Sequence, residues 1–251
     1  MAAEGNTIDA LSQFNLAPVL GPIGASVNFS QSNVMMLLAG GLILALMTYG
    51  MRPGALVPGR LQSLAESSYE FVMTLVTDQV GDEGRRFFPF VFTLFMFILF
   101  GNMLGLLPYA FTFTSHIAVT FALAMIVFVL STVVALRLHG KKFFGYFFPE
   151  GAPIWLAPII VPVEIISYLS RPISLALRLF ANMVAGHVML KVFATFILML
   201  AGLGTVGPAL SLLPLSINVL LVGFEVMVAF LQAYVFAILT CIYLHDAVHL
   251  H

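Results

Sequence analysis

Four ionisable side chains stand in otherwise apolar stretches of the second half of the chain: Glu164, Arg178, His187 and Glu225. A histidine or a carboxylic acid takes up and releases a proton near neutral pH once its surroundings tune its pKa. A guanidinium stays ionised at any ordinary pH and releases none. The set therefore combines three proton carriers with one permanent cation, which suits it to moving protons in steps.

Arg178 is the most unusual of the four, because its neighbours between Ile173 and Ala185 are nearly all apolar. At the centre of a bilayer a charged side chain costs ~2.5–3.5 kcal/mol on insertion scales. An intramembrane arginine is therefore a functional-site hypothesis by default. Pairing with a buried glutamate is the structural alternative. For His187 taken alone, packing or hydrogen bonding is the simpler interpretation.

The composition places these side chains in a membrane protein. Of the 251 residues, 61% are hydrophobic and only 8% are charged, whereas soluble domains carry roughly 25% charged residues. The single cysteine, Cys241, lies in an apolar run, where a packing role is the favoured interpretation. It has no second cysteine with which to form an internal disulfide.

The apolar runs predict an all-α integral membrane protein with five membrane-embedded helices, since ~20 apolar residues are needed for each span. A sixth helix, 60–79, has its apolar residues on one face and is predicted to lie in the membrane interface. The alternative is a helix packed on the protein's own surface. The predicted order within a single membrane domain (1–251) is an outer N-terminal arm (1–32), a first span (33–51), the interfacial helix (60–79), a tight helical hairpin (87–136) and a long, strongly tilted hairpin carrying the polar residues (155–245).

The last hairpin is too long for an upright crossing of the membrane. Its two helical runs, 173–201 and 215–244, extend ~43 and ~45 Å at 1.5 Å per residue, whereas the hydrocarbon core is ~30 Å thick. Projection into water is disfavoured, because residues 192–224 carry no charge. We therefore predict a strong tilt, with a kink at Pro172 and a turn at 202–214.

The distribution of Lys and Arg predicts the orientation of the chain. Four of these residues lie in 52–86 and three in 137–153, whereas the N-terminal arm and the turns at 108–115 and 202–214 have none. By the positive-inside rule, the N terminus and both turns lie outside, and the C terminus lies in the cytoplasm.

This orientation sorts the four ionisable side chains by depth. Glu164 belongs to the inner half of the membrane, His187 and Glu225 belong to the outer half, and Arg178 lies between them. Titratable groups at opposite depths, separated by a permanent cation, indicate two offset half-paths for protons. We expect His187 and Glu225 to lie on adjacent antiparallel helices, close enough to interact directly or through one water.

Helical spacing adds two amides to the candidate site. Asn182, four residues after Arg178, lies near the same helical face. His187, nine residues after Arg178, lies about 180° around the helix at ~100° per residue. On the last helix Glu225 and Gln232 are seven residues apart and share a face.

Two segments, RPISLALRLFANMVAGH (171–187) and EVMVAFLQAYVFAILTCIYL (225–244), resemble subunit a of the rotary F-type ATP synthases, the stator of the proton channel. GNMLGLLPYAFTFTSH (101–116) resembles that family more loosely. The resemblance implies that Arg178 is the essential cation facing the rotor and that Glu164 belongs to the inner half-channel. The side chains that it assigns to the outer half-channel are Asn182, His187, Glu225 and Gln232. In several members the residue types at the His187 and Glu225 positions are exchanged, so this pair is expected to act together.

The resemblance also implies what surrounds the chain. Proton flow turns a rotor and drives ATP synthesis on other subunits, so this chain is expected to be non-catalytic and to hold no metal or cofactor. The implied partners are a rotor c-ring of carboxylate-bearing helical hairpins, b-type subunits of the peripheral stalk, further ATP synthase subunits and the lipid bilayer, with no nucleic acid. The implied location is the bacterial inner membrane.

Two other classes of protein were weighed against this interpretation. A proton-coupled secondary transporter also places charges at mid-membrane depth, but it usually shows internal repeats, and the sequence shows none. An intramembrane enzyme needs a nucleophile with its base or a set of metal ligands, and neither HExxH nor GxSxG occurs. The terminal His245, His249 and His251 raise a metal site as an alternative, although a solvated tail is the favoured interpretation.

Overall fold

Six α-helices make up most of the molecule. The computed structural model describes residues 31–51, 59–107, 110, 112–140, 143, 145 and 154–249, so the predicted N-terminal arm lies almost wholly outside the described residues. No strand occurs within these ranges, and the predicted all-α fold is confirmed. The helices are α1 (Gln31–Gly50), α2 (Arg60–Val80), α3 (Phe88–Gly105), α4 (Ile117–His139), α5 (Ala157–Ala201) and α6 (Gly207–Val248).

Five of these helices are long and apolar enough to cross a membrane, and α2 is the exception. The apolar face of α2 packs on α1, α3 and α6; among its residues Val72 and Val76 are fully buried. Phe71 of α2 contacts two of these helices: its ring lies 5.6 Å from that of Phe95 on α3 and 5.9 Å from that of Phe230 on α6. The helix is thus amphipathic, as predicted, and packs on the protein's own surface. Its placement in the membrane interface remains a prediction.

Helices α5 and α6 form the long hairpin-like pair at the end of the chain. They contain 45 and 42 residues, which corresponds to ~68 and ~63 Å at 1.5 Å per residue. Both greatly exceed the ~30 Å hydrocarbon core. The excess length supports the predicted tilt, since a long helix fits a thin bilayer only at an angle or by leaving it.

One proline does not mark the end of a turn where the sequence predicted. Pro214 lies inside α6, so the predicted turn at 202–214 is wrong and the connection spans only 202–206. Pro172 lies inside α5, where the sequence predicted a kink, and the kink itself remains a prediction.

Both helices also carry a proline in their first turn, Pro158 and Pro208, where the missing N–H has no helical partner to lose. An interior proline costs ~3 kcal/mol or more in an isolated helix; here Pro172 and Pro214 are buried against neighbouring helices, whereas Pro162, also inside α5, is exposed.

The close packing predicted between the two helices of the 87–136 hairpin is not observed. Helices α3 and α4 scarcely touch, because α6 packs extensively against both of them. The small side chains Ala229, Ala233 and Ala237 on α6 are all buried, as close helix approach requires. The α3–α4 connection turns inward and contacts α5, and this separates the two helices that it joins.

Two ends of the helical bundle are useful landmarks. The turn end holds the α3–α4 connection and the 202–206 turn, and the C-terminal end holds the last residues of α4 and α6. At the C-terminal end, the His139 Nε2–H donates to the Val248 carbonyl at 3.1 Å. The polar side chains of α5 and α6 are distributed between these two ends.

Candidate functional site

His187 and Glu225 form a buried pair between α5 and α6. His187 Nδ1 lies 2.7 Å from Glu225 Oε1, and the two side chains are only 14% and 4% exposed. The predicted direct contact on adjacent antiparallel helices is therefore confirmed. A carboxylate with so little exposure is costly unless a partner compensates its charge, and a protonated His187 supplies that compensation.

Gly186 makes the close approach of Glu225 possible. A Cβ at this position would lie 2.7 Å from Glu225 Oε1 and 3.0 Å from its Cδ, which is closer than real Cβ contacts allow. The glycine before the histidine thus lets the carboxylate rest directly against the α5 backbone. Any larger residue would push Glu225 away from His187.

Three oxygen atoms besides the carboxylate surround the His187 ring. Nδ1 lies 3.0 Å from the Met183 carbonyl, and Nε2 lies 3.1 Å from the Gly105 carbonyl and 2.8 Å from Thr112 Oγ1. The Nδ1–H is directed at the Met183 carbonyl, so the 2.7 Å contact with Glu225 is an ion-pair contact without hydrogen-bond alignment. Neither carboxylate oxygen of Glu225 has a hydrogen-bond partner among the described residues.

A groove of about 350 Å³ opens on the other side of Glu225. Asn182 from α5 and Gln232 from α6 line it together with Glu225, so the structure brings these three predicted site residues together. The remaining lining is largely apolar and includes Met189 and Phe224. Glu225 therefore stands between His187 and a groove whose polar groups are two amides.

Arg178 lies on the exposed side of α5, away from this pair. Its side chain is exposed, and no described carboxylate comes within ion-pair distance of it. Exposed apolar residues, Ile173 and Leu177 among them, flank it on the same helix. This unpaired guanidinium is free to meet a carboxylate brought by another chain.

Glu164 lies closer to the start of α5 and is half-buried. It makes no hydrogen bond or ion pair with the residues that the structure describes. The structure thus does not bring Glu164 together with the other predicted site residues. Arg178 lies between Glu164 and His187 along the helix, as the sequence requires.

Sequence reasoning missed an ion pair at the C-terminal end. Arg171 Nη1 lies 3.1 Å from Asp246 Oδ2, and the guanidinium lies 5.3 Å from the ring centroids of both Tyr168 and Tyr243. The Tyr168 hydroxyl is in turn 2.6 Å from Thr132 Oγ1, which connects this cluster to α4. A signal was present in the sequence, because Asp246 is an isolated acid at the end of a long apolar run.

Sequence reasoning also missed the polar α3–α4 connection. Thr112 contacts His187, and Thr114 donates a 2.8 Å hydrogen bond to Asn102 Oδ1. The Asn102 amide, on α3, in turn donates to the Ala229 carbonyl at 3.2 Å, so the connection contacts α5 through Thr112 and is linked to α6 through Asn102. The signal was the polar run at 112–116 between two apolar spans.

The terminal histidines form no evident metal site. Within the part of the chain that the structure describes, no group of three His, Cys, Asp or Glu side chains is arranged to hold a metal ion. The rings of His245 and His249 stack with their centroids 4.7 Å apart. His251 lies outside the described residues.

Comparisons with known proteins place this geometry in a family. The family model described as ATP synthase A chain matches residues 33–245. A protein of Granulibacter bethesdensis named ATP synthase subunit a is 67% identical over 252 residues, which cover 100% of both chains. Proteins of the same name from Gluconacetobacter diazotrophicus and Gluconobacter oxydans are 62% and 58% identical, each over 98% of this chain and 99% of the relative. The chain therefore belongs to the ATP synthase A chain family.

Proposed function

We propose that this chain is the stator subunit of the proton channel in a rotary ATP synthase. The observation that carries the proposal is the buried His187–Glu225 pair beside a groove lined by Asn182 and Gln232. Membership of the ATP synthase A chain family supports the same function. Proton flow past the pair turns a rotor ring, and the rotation drives ATP synthesis on other subunits.

Protons reach the pair from the turn end of the bundle. A protonated His187 holds its Nδ1 2.7 Å from Glu225 Oε1, so a small shift of the pair aligns the two groups for transfer. The N–H bond of the imidazolium breaks and an O–H bond forms on the carboxylate. Glu225 then exposes its proton to the groove, where Asn182 and Gln232 can orient water or a rotor carboxylate.

Arg178 separates the two halves of the path. Its exposed guanidinium, with no described carboxylate beside it, favours the ionised form of a rotor carboxylate that passes close by. It releases no proton of its own at ordinary pH. The rotor carboxylate therefore gives up its proton on one side of Arg178 and takes up the next proton on the other side.

Glu164 serves the inner half of the path. It is half-buried, it has no described partner, and it lies two helical turns into α5. A carboxylate in that position can accept a proton from the rotor and release it to water. The proton path thus begins at the buried His187–Glu225 pair and ends at a single half-buried carboxylate, that of Glu164.

The surroundings in this proposal follow from the charges and the exposed surfaces. The partners are a c-ring of carboxylate-bearing helical hairpins on the Arg178 side of α5 and b-type subunits of the peripheral stalk. The membrane is the bacterial inner membrane, with the turn end outside and the C terminus in the cytoplasm. The chain is non-catalytic and holds no cofactor, and no observation favours a secondary transporter.

The orientation is tested by accessibility labelling of single cysteines. A cysteine at Ala110 or Leu203, at the turn end, should react with an impermeant reagent from outside, and one at Arg137 should react from the cytoplasmic side. The native Cys241 is fully buried and should not compete. The reverse pattern would overturn the orientation and exchange the entrance with the exit.

The proton path is tested by Glu225→Gln in the assembled synthase. The amide keeps the shape of the side chain but cannot take up and release a proton near neutral pH. Proton-driven ATP synthesis in proteoliposomes should fall by ~100-fold or more, as is usual when a group that transfers protons is removed. Glu70→Gln, on the exposed side of α2, is the matched control and should remain near the wild-type rate. A wild-type rate for Glu225→Gln would contradict the proposed path.

A further inference from the structure

The partners of the His187 ring pose a hydrogen-bonding problem. A carbonyl oxygen only accepts, whereas a neutral imidazole has one N–H donor and one acceptor nitrogen. The Met183 carbonyl faces Nδ1 and the Gly105 carbonyl faces Nε2, so the ring can donate to both carbonyls only when both nitrogens carry hydrogen. If His187 loses a proton, one nitrogen becomes an acceptor that faces a carbonyl.

Thr112 is the contact that can resolve this conflict at Nε2. A hydroxyl both donates and accepts, and Thr112 Oγ1 lies 2.8 Å from Nε2, closer than the Gly105 carbonyl. When Nε2 carries hydrogen, Thr112 accepts from it. When Nε2 is bare, the Thr112 hydroxyl rotates and donates to it. Among these three oxygen contacts only Thr112 can satisfy Nε2 in both states.

The position of the Thr112 hydroxyl is fixed by its surroundings. Thr112 is 3% exposed, and its backbone carbonyl accepts a 2.5 Å hydrogen bond from the Ser115 hydroxyl. Its side chain packs directly on Gly105, where an added Cβ would overlap it. Two residues further on, Thr114 bonds to Asn102 and fastens the connection to α3. The hydroxyl is therefore held against His187 by a connection that is itself bonded at several points.

We propose that Thr112 is a positioning residue for proton transfer at His187. Its hydroxyl accepts from Nε2–H while Nδ1 gives its hydrogen to Glu225, and it reverses its hydrogen bond and donates to Nε2 whenever the neutral ring carries its hydrogen on Nδ1. The inference rests on the proposed function, in which His187 carries protons. The hydroxyl keeps the ring in one orientation in each protonation state, so that Nδ1 stays within reach of Glu225 Oε1. Thr112 itself gains and loses no proton overall.

The test replaces the hydroxyl without changing the shape of the side chain. Thr112→Val removes the group that can reverse its bond, and Thr112→Ser keeps it. Both are assembled in the complete synthase, and proton-driven ATP synthesis is measured over a range of outer pH at fixed inner pH. Thr112→Ser should keep the wild-type rate and pH profile. Thr112→Val should lose about 5- to 100-fold in rate, because Nε2 loses a partner in one protonation state, and should shift the outer-pH profile.

A matched control separates this role from simple support of the connection. Thr114→Val removes the bond to Asn102 from the same turn but leaves the His187 contact in place. It should lower the amount of assembled synthase without moving the pH profile. An equal shift in the pH profile for Thr114→Val and Thr112→Val would assign Thr112 to support alone and overturn the proposal.

Two further variants keep the outcome decisive. If Thr112→Val fails to assemble, Thr112→Cys replaces it, since a thiol has nearly the shape of a serine but is a weak donor and acceptor. A Thr112→Cys profile equal to that of Thr112→Ser would refute the inference. His187→Gln tests the proposed function independently: a wild-type rate there refutes the proton path itself, whereas a severe loss beside an unaffected Thr112→Val refutes only the role of Thr112.

Discussion

The two ends of the α5–α6 pair hold charged contacts of different kinds. At the turn end His187 meets Glu225, whose carboxylate has no described hydrogen-bond partner. At the C-terminal end Arg171 meets Asp246 at 3.1 Å and lies between two tyrosine rings. Both contacts join the same two helices, but only the first contains two groups that can exchange a proton. An arginine keeps its proton, so the second contact can hold the helices together but cannot conduct.

The residues that surround the His187–Glu225 contact also differ in kind from those that surround the Arg171–Asp246 contact. At the turn end a glycine lets the carboxylate lie against the helix backbone, and a threonine hydroxyl, which can both donate and accept, contacts the imidazole. At the C-terminal end aromatic rings surround Arg171, and such rings favour a cation that stays in place. The chemistry of an ion pair in this protein thus depends on the identity of its cation and on what surrounds it, more than on its burial.

The largest effect is expected from removing Arg178, a cation on α5 that belongs to neither of these pairs. Arg178→Ala should abolish ATP-coupled proton pumping in the assembled complex, because a passing rotor carboxylate loses the charge that ionises it. Arg178→Lys should not restore normal pumping, since an ammonium has neither the planar shape nor the five donors of a guanidinium. Arg60→Ala, at the exposed start of α2, is the control and should pump normally. Pumping at the wild-type rate by Arg178→Ala would exclude the separator role.

The next largest effect is expected from exchanging the turn-end pair. His187→Glu and Glu225→His should each impair proton flux strongly, the first because two acids then share a buried site. The double exchange should recover part of the loss, since it restores one acid and one imidazole. The measurement is a double-mutant cycle on proton-driven ATP synthesis. A double mutant whose defect merely sums the two single defects would show that the residues act independently.

A smaller loss is expected from Gly186→Ala. The new Cβ would meet Glu225 Oε1 at 2.7 Å, so the carboxylate must shift away from His187. We expect proton flux to fall by ~10-fold, equivalent to ~1.4 kcal/mol in the barrier. Gly223→Ala is a close control, because a Cβ there meets nothing within 4 Å although it lies only two residues from Glu225. Equal rates for the two variants would mean that the close approach of Glu225 to Gly186 does not affect proton flux.

The smallest effect on flux is expected at the C-terminal end. Arg171→Met breaks the ion pair with Asp246. The Arg171 and Asp246 side chains are 22% and 35% exposed, so the loss in the free energy of unfolding should be only ~1 kcal/mol. The readout is the midpoint temperature of inactivation of the purified complex, which should fall while the pH profile of ATP synthesis is unchanged. Adding Asp246→Leu should recover part of the loss, because no partly buried charge is then left alone. A shifted pH profile would place this pair in the proton path.

The sequence was sufficient for the features that depend on composition and depth. Apolar runs located the five spans, and opposite chain directions predicted that His187 and Glu225 would meet. Features that depend on contacts between segments distant in the sequence could not be predicted from it. Thr112 meets His187 across 75 positions of sequence, and no local pattern indicates that a polar connection will fold inward. Pro214 led to a wrong turn bound for the same reason, because packing against neighbouring helices keeps α6 continuous where local propensity alone predicts a break.

The glycine contact of Glu225 has a consequence for how the protein is made. Helix α6 leaves the ribosome after the other five described helices, and Glu225 is the first charged residue after a stretch, 192–224, that has none. Until α6 packs on α5 this carboxylate has no shelter, and its cost in lipid disfavours stable insertion of α6 alone. Gly186 and His187 must therefore already be in place to receive it. The final hairpin is thus a unit of membrane biogenesis, and a chain truncated before α6 should leave His187 facing lipid and be recognised by membrane proteases as incomplete.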